Sequence, residues 1–381
     1  MLNLPPFRRK AKSKATKLTG RKIFLLILIC LASYLSLPAQ TSSDGEDFRL
    51  INADKLFLNK VNNENILELN GRVHFYYGDT EFRCQRAIIF ERQKIARLFG
   101  NVRVRNDTLN TDADSISYYR ITEFMNMGGN IIITEQKTGG VFNQMAADFG
   151  SYDKLNDVVS ARGNVRALSV KDKVRASCNL AHWDRKNGYA YLLENPELWS
   201  EGQDTLYIRS EKMEFFDDDR KVIATFDVLA QTKDYTATSD FLLYFLKDEK
   251  ALFQGEPKFT SGFADATAKE FYLFFKEKKL YLAELKDSCL VWFAEEKDKP
   301  KTNWVKADFI SMNITDDNLD DFEAENRVTY FYQQEKDEKK DFFSNNASGS
   351  FLSATFDTEG KLETMTMKKG VKGTYRFENN P

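Results

Sequence analysis

Gly100-Asn101-Val102-Arg103-Val104-Arg105 is the stretch whose reading decides the fold. Its two valines alternate with two arginines, so as a strand it carries one apolar and one charged face. The pattern stands upstream in Asn70-Gly71-Arg72-Val73-His74-Phe75. It returns downstream in Gly129-Asn130-Ile131-Ile132-Ile133 and in Gly163-Asn164-Val165-Arg166-Ala167-Leu168. The glycines at 71, 100, 129 and 163 are spaced by 29, 29 and 34 residues. Recurrence at such a period signals stacked repeats. Gly and Asn both tolerate positive φ, so each pair predicts a turn between strands.

A second half-unit begins with Ala, often Ala-Asp. Ala53-Asp54-Lys55-Leu56-Phe57-Leu58, Ala113-Asp114-Ser115-Ile116-Ser117-Tyr118 and Ala147-Asp148-Phe149-Gly150-Ser151-Tyr152 are clear copies. Ala87-Ile88-Ile89-Phe90 and Ala181-His182-Trp183 are looser ones. Ala307-Asp308-Phe309-Ile310-Ser311-Met312 restores the pattern, with drifted copies at Ser239-Asp240-Phe241 and Lys269-Glu270-Phe271-Tyr272. Thr, Val, Ile, Tyr and Phe fill the segments between, as strands prefer. Even Ala264 to Lys279, the nearest approach to a helical period, reads as strand through Phe271, Tyr272, Phe274 and Phe275. The expected class is all-β: antiparallel, built from stacked repeats of about 30 residues, none of which closes a core alone.

The N-terminus reads differently. Eight of the 55 basic residues and none of the 57 acidic ones lie in 1–39, followed within that stretch by an uncharged run, Ile23 to Leu37, and a small Ala39. This is the layout of a secretory signal peptide, 1–39. The alternative is an inner-membrane anchor over residues 23–39. Without 1–39 the chain holds 47 basic against 57 acidic residues, a net charge of −10. That excess argues against a nucleic-acid partner. Residues 40–200 form the clearer repeat region. Residues 201–381 are a divergent β-repeat region that either continues the first or stands apart, with a break placed near Pro196 to Thr205.

Catalytic chemistry is hard to place. His74 and His182 are the only histidines and neither has a partner in sequence. Asp54, Asp114, Asp148 and Asp308 recur once per repeat, which assigns them a structural place at the start of a strand. Asp217-Asp218-Asp219 and Asp316-Asp317 read as solvated loops, as do Ala294 to Asn303 and Gln333 to Asn346. No P-loop, GxGxxG or CxxC motif is present, so no catalytic residue, metal site or cofactor is assigned. Cys84 and Cys178 hold equivalent repeat positions three repeats apart, at least about 14 Å, too far for a disulfide. With Cys289 they read as buried free thiols in strands.

The recurring Ala-Asp and Gly-Asn-Val units behind a signal peptide resemble the OstA/LptA family of lipopolysaccharide transport proteins, in the longer form found in Bacteroidetes-type bacteria. The resemblance is clearest from Leu50 to Arg166. It implies a β-jelly roll folded like a taco, with an apolar slot between two sheets for acyl chains. It also implies a periplasmic location, a lipopolysaccharide or similar glycolipid cargo, and end-strand pairing with envelope transport proteins or with further copies end to end. The alternation places Val73, Phe75, Val102, Val104, Ile116, Tyr118, Ile131, Ile133 and Val165 on the inner face. By pattern alone a filled, closed sandwich core is the better reading of these residues; the resemblance favours the slot. Arg103, Arg105, Arg162 and Arg166 are candidate contacts for cargo phosphates, or else ordinary outward strand arginines. The competing reading is a structural or adhesive envelope β-repeat protein with a filled core and no lipid.

Overall fold

The computed structural model describes residues 48–381 apart from 108, 138–139, 171–172, 201–204, 263, 278, 295–299, 316–317, 335–341, 358–361 and 379–381. The expected signal peptide lies outside the described residues. Asp47–Pro381 forms one compact unit.

Every regular element among the described residues is a β-strand. In order they are β1 (Phe48–Asn52), β2 (Lys55–Val61), β3 (Glu64–Tyr77), β4 (Thr80–Phe90), β5 (Ile95–Arg105), β6 (Leu109–Tyr119), β7 (Phe124–Lys137), β8 (Gly140–Asp153), β9 (Val158–Ser169) and β10 (Val174–Asp184). Then follow β11 (Tyr189–Leu193), β12 (Glu197–Ser200), β13 (Tyr207–Arg209), β14 (Lys212–Phe216), β15 (Lys221–Gln231), β16 (Tyr235–Phe245), β17 (Lys250–Gln254) and β18 (Lys258–Ser261). The last are β19 (Ala264–Thr267), β20 (Glu270–Lys276), β21 (Lys279–Phe293), β22 (Asn303–Thr315), β23 (Asn318–Gln334), β24 (Phe342–Phe356), β25 (Leu362–Lys368) and β26 (Lys372–Glu378). All pairings are antiparallel in one hydrogen-bonded meander; where a long strand is interrupted its two halves pair separately, as β11 and β12 both do with β10 and β17 and β18 both do with β16.

That sheet is creased. Pairs of residues at positive φ recur along the chain: Gly71-Arg72, Gly100-Asn101, Gly129-Asn130, Gly163-Asn164, Glu194-Asn195, Phe226-Asp227, Gly255-Glu256, Asp287-Ser288, Asn326-Arg327 and Lys369-Gly370, with φ between 44° and 80°. At each of the long strands the register slips at the same point, as between Phe99 and Val102 against Ser115 and Ala113. These are bulges, which bend a strand sharply while pairing resumes on either side. The Gly-Asn pairs expected as turns therefore sit inside strands, at bends. The true hairpin turns lie elsewhere, for example at Gly78-Asp79 and Glu91–Lys94.

Each long strand thus belongs to two layers. Layer A holds the segments such as 73–77, 80–84, 102–105 and 109–112. Layer B holds 64–70, 86–90, 95–99 and 115–119. Rings from the two layers meet, Tyr77 with Tyr118 at 6.3 Å and Phe82 with Tyr118 at 5.4 Å. Far along the chain Phe293 of layer A meets Phe322 of layer B at 6.4 Å. Asn195-Pro196, near the expected break, is one of the creases. Proline supplies no ladder donor, so β11 and β12 separate there, and Gly255-Glu256-Pro257 separates β17 from β18 in the same way. Pairing nonetheless continues from β10 through β12 to β13 and β15.

Opposite each positive-φ pair stands a small residue followed by a polar one: Ala53-Asp54, Cys84-Gln85, Ala113-Asp114, Ala147-Asp148, Cys178-Asn179, Ser210-Glu211, Ser239-Asp240, Ala268-Lys269, Ala307-Asp308 and Gly349-Ser350. This corrects three sequence expectations. Asp114, Asp148 and Asp308 lie at the crease in mid-strand, whereas Asp54 stands directly before β2, at a strand start as expected. The motif places in β4 and β10 are held by Cys84 and Cys178 themselves, not by Ala87 and Ala181. Finally, Asn303, Gln333, Gln334 and residues 342–346 belong to β22, β23 and β24 rather than to loops, and Asn303 is wholly buried, its Oδ1 accepting from Gln333 N at 2.8 Å. Asp217–Asp219 do form an exposed turn, whereas Asp316-Asp317 lie outside the described residues.

The polar member ties the crease. Asn130 Nδ2 donates to Asp114 at 2.9 Å and Asn164 Nδ2 to Asp148 at 2.7 Å. Arg72 grips Asp54 through Nε and Nη2, and Arg327 grips Asp308. At Asn179 the roles invert, and its amide donates to Glu194. The small member fills the fold's inner angle, where little room remains. The Cys84 and Cys178 thiols donate to the carbonyls two residues on, at 3.2 and 3.3 Å. The hydroxyls of Ser210 and Ser239 make the same contact at 2.9 and 3.0 Å. The cysteines are therefore crease residues, free and buried as expected.

Two outcomes test this architecture. Gly129 has φ +74°, and an added Cβ would sit 2.9 Å from Asp114 Cβ, whereas Gly370 (φ +75°) has open space around it. Gly370→Ala should cost about 1–2 kcal/mol, the left-handed penalty alone. Gly129→Ala should lower the thermal midpoint more, because it also displaces the Asp114 tie; equal losses would show that the tie contributes nothing. The second outcome concerns the thiols. Burial pushes the Cys84 and Cys289 thiols up to about 12 and Cys178 to about 11. In a Cys30→Ser background a thiol reagent at pH 8 should label no cysteine in the native protein and three after denaturation. Because the folded values lie above the unfolded one, stability should fall as the pH rises from about 9 towards 12.

Candidate functional site

The site follows from alternation about the crease. On each strand every second residue points between the layers. Val73, Phe75, Val102, Val104, Ile131, Ile133 and Val165 reach in from layer A, and Ile116 and Tyr118 from layer B. None of the nine is more than 3% exposed. Phe75 stacks on Phe82 at 5.0 Å, and Phe48 of β1 packs on Phe75 and Tyr77 at 5.3 Å. Apolar interior continues through Met213, Ala224, Leu242, Phe271, Leu285 and Leu352. In the second half the layers leave a cavity of about 30 Å³ between Val291, Phe293 and Val305 of layer A and Ile310, Met312, Leu319 and Phe322 of layer B. All of its lining side chains are apolar.

Opposite the crease lies a rim made by the hairpin turns. In layer B these are four-residue turns joined by backbone hydrogen bonds: Arg120 N to Lys94 O, Lys154 N to Glu123 O, Arg185 N to Asp157 O. Two arginines of this rim lean inward. Arg120 lies over the Tyr77 ring at 4.6 Å, with Nη2 3.4 Å from Phe90 O and 3.7 Å from Glu91. Arg185 donates to Asp157 at 2.5 Å within layer B and to Glu135 of layer A at 3.1 Å. Glu135 also accepts from Asn143 Nδ2 at 2.6 Å. The flanking carboxylates raise the Arg185 guanidinium further above its ordinary range, against the opposing effect of its burial. Neither arginine carries a motif that sequence reading could have caught; each is the first residue after a strand end.

The four arginines read as phosphate contacts lie elsewhere. Arg103 and Arg105 alternate with buried Val102 and Val104, and Arg162 and Arg166 with buried Ala161 and Val165, so all four face outward. Arg105 is bound to Asp112 at 2.6 Å and to the carbonyls of Val104 and Thr111. Arg166 lines an open outer-face groove of about 920 Å³ with Gln144, Ser177, Arg175 and Trp199. His74 Nε2 lies 2.8 Å from Glu81, and His182 Nδ1 lies 3.1 Å from Ser160 while its ring stacks on Tyr191. Both are part of strand-surface pairs. Among the described residues no cluster of His, Cys, Asp and Glu could hold a metal ion. No helix among them is long and apolar enough to cross a membrane.

Among the described residues the ends of the array are unpaired edges. Every residue of β2 is exposed, with Leu56, Phe57, Leu58 and Val61 each near half or more. At the far end Tyr375 and Phe377 of β26 are similarly bare. Unpaired edges with apolar side chains invite further strands.

No curated protein matches the chain. Among solved structures, a crystal structure of LptH from Pseudomonas aeruginosa, described as the LptA-homologous periplasmic component of the lipopolysaccharide transport device, is 13% identical with a TM-score of 0.25. That match covers 27% of this chain and 75% of LptH. The family model described as OstA-like protein matches residues 46–158, which span β1 to the start of β9.

Proposed function

We propose that the chain is a periplasmic carrier that takes part in moving lipopolysaccharide, or a glycolipid of that chemistry, to the outer membrane. The observation that carries this reading is an apolar interior running between two layers through an OstA-like segment. Acyl chains entering it gain about 0.8 kcal/mol for each CH₂ withdrawn from water. In this reading Val73, Phe75, Val102, Val104, Ile116, Tyr118, Ile131, Ile133 and Val165 contact the chains, and the exposed edges β2 and β26 pair with other envelope transport proteins or further copies. Transport here needs no catalytic group.

One observation favours the competing structural reading. The interior is filled by its own side chains, so cargo enters only if the layers part. Photo-crosslinking in living cells separates the two. A photoreactive residue at 104 should form a lipopolysaccharide adduct, one at 103 should not, and one at Leu58 should capture a protein. A folded, exported protein with no lipid adduct at 104 would establish the filled-core reading. Absence of a protein adduct at 58 would remove edge pairing through β2.

A further inference from the structure

The interior is closed on the rim side by contacts that join the two layers, and the strongest of them is charged. Arg185 has a side chain 9% exposed and Glu135 one 6% exposed. They are fifty residues apart in sequence and belong to opposite layers. Joining them takes two charges out of water, a cost that close pairing must offset. An apolar pair would close the rim without that cost. The arrangement is also incomplete: Nε of Arg185 is buried with no hydrogen-bond partner among the described residues, and so is Nε of Arg120. Among the described residues Arg120 is held by Tyr77 and by long contacts to Phe90 O and Glu91. Two buried guanidiniums thus keep donors in reserve at the mouth of the apolar interior.

We propose that Arg185 and Arg120 form a clasp that opens to cargo and then binds its phosphates, Glu135 acting as the internal stand-in for phosphate. This rests on the carrier reading above. A guanidinium suits the exchange because its fork pairs with carboxylate and phosphate in the same bidentate way. When the layers part, Glu135 leaves with layer A while Arg185 stays on layer B with Asp157. A phosphate at the mouth then meets Arg185 with two donors freed: Nη2, which had bound Glu135, and the unused Nε. The two arginines are four strand spacings apart, roughly 19 Å, so each takes its own phosphate group.

The test uses the full chain, with diphosphoryl lipid A and the same lipid dephosphorylated as probes, each carrying a fluorescent acyl chain. The wild-type protein should prefer the phosphorylated probe. Arg185→Gln with Arg120→Gln should reduce that preference roughly tenfold, the equivalent of about 1.4 kcal/mol, while binding of the dephosphorylated probe persists. Glu135→Gln removes the competing carboxylate and its repulsion, so it should tighten binding of the phosphorylated probe roughly threefold or more. A merely structural pair cannot produce that gain. If Glu135→Gln and the arginine variants weaken both probes equally, the clasp proposal is overturned and the carrier reading stands. If the wild-type protein binds neither probe, both are overturned.

Discussion

The structure depends on the positive-φ bulge that folds each long strand back over itself. A flat meander of this length would expose both faces of its strands. Bending every long strand at the same place, with the positive-φ pair on every second one, turns one sheet into two facing layers without breaking the hydrogen-bonded ladder. The inner faces then bury each other. Because the bends must line up, several are tied to the strand beside them, through Asp54 and Arg72, Asp114 and Asn130, Asp148 and Asn164, Asp308 and Arg327. The recurring aspartates are thus the residues that hold the crease in register.

From the crease follows the division of the molecule. Next to it the inner-angle position is held by Ala, Cys, Ser or Gly. Farther out aromatic rings fill the interior, Tyr77, Phe82 and Tyr118 among them. At the rim, where the layers would otherwise separate, charged groups bridge them.

Much of this was legible in the sequence. The alternation in Val102-Arg103-Val104-Arg105 placed the valines inward and the arginines outward, where the structure has them. The recurrence of Gly-Asn gave the repeat. What it did not give was the meaning of the Gly-Asn pairs, because tolerance of positive φ serves a turn and a bulge alike. Only the pairing of strands on both sides distinguishes them. The later creases were hidden for another reason. Glu194-Asn195, Phe226-Asp227, Asp287-Ser288 and Asn326-Arg327 contain no glycine, so neighbouring strands impose the bend there and the local residues only bear it. Cys84 and Cys178 were matched to each other but not to the alanines whose place they take, since size rather than chemistry is the shared property. The rim arginines depend on contacts between residues fifty positions apart and left no local trace.

The carrier reading places a lipid in the space between the layers. Native mass spectrometry of the protein purified from the envelope of cells that make it tests this most directly. The account predicts a population heavier than the polypeptide by the mass of one intact acylated glycolipid, released when the protein is unfolded. A folded protein observed only at the mass of its polypeptide would contradict it and leave a β-repeat whose interior is packed for strength alone.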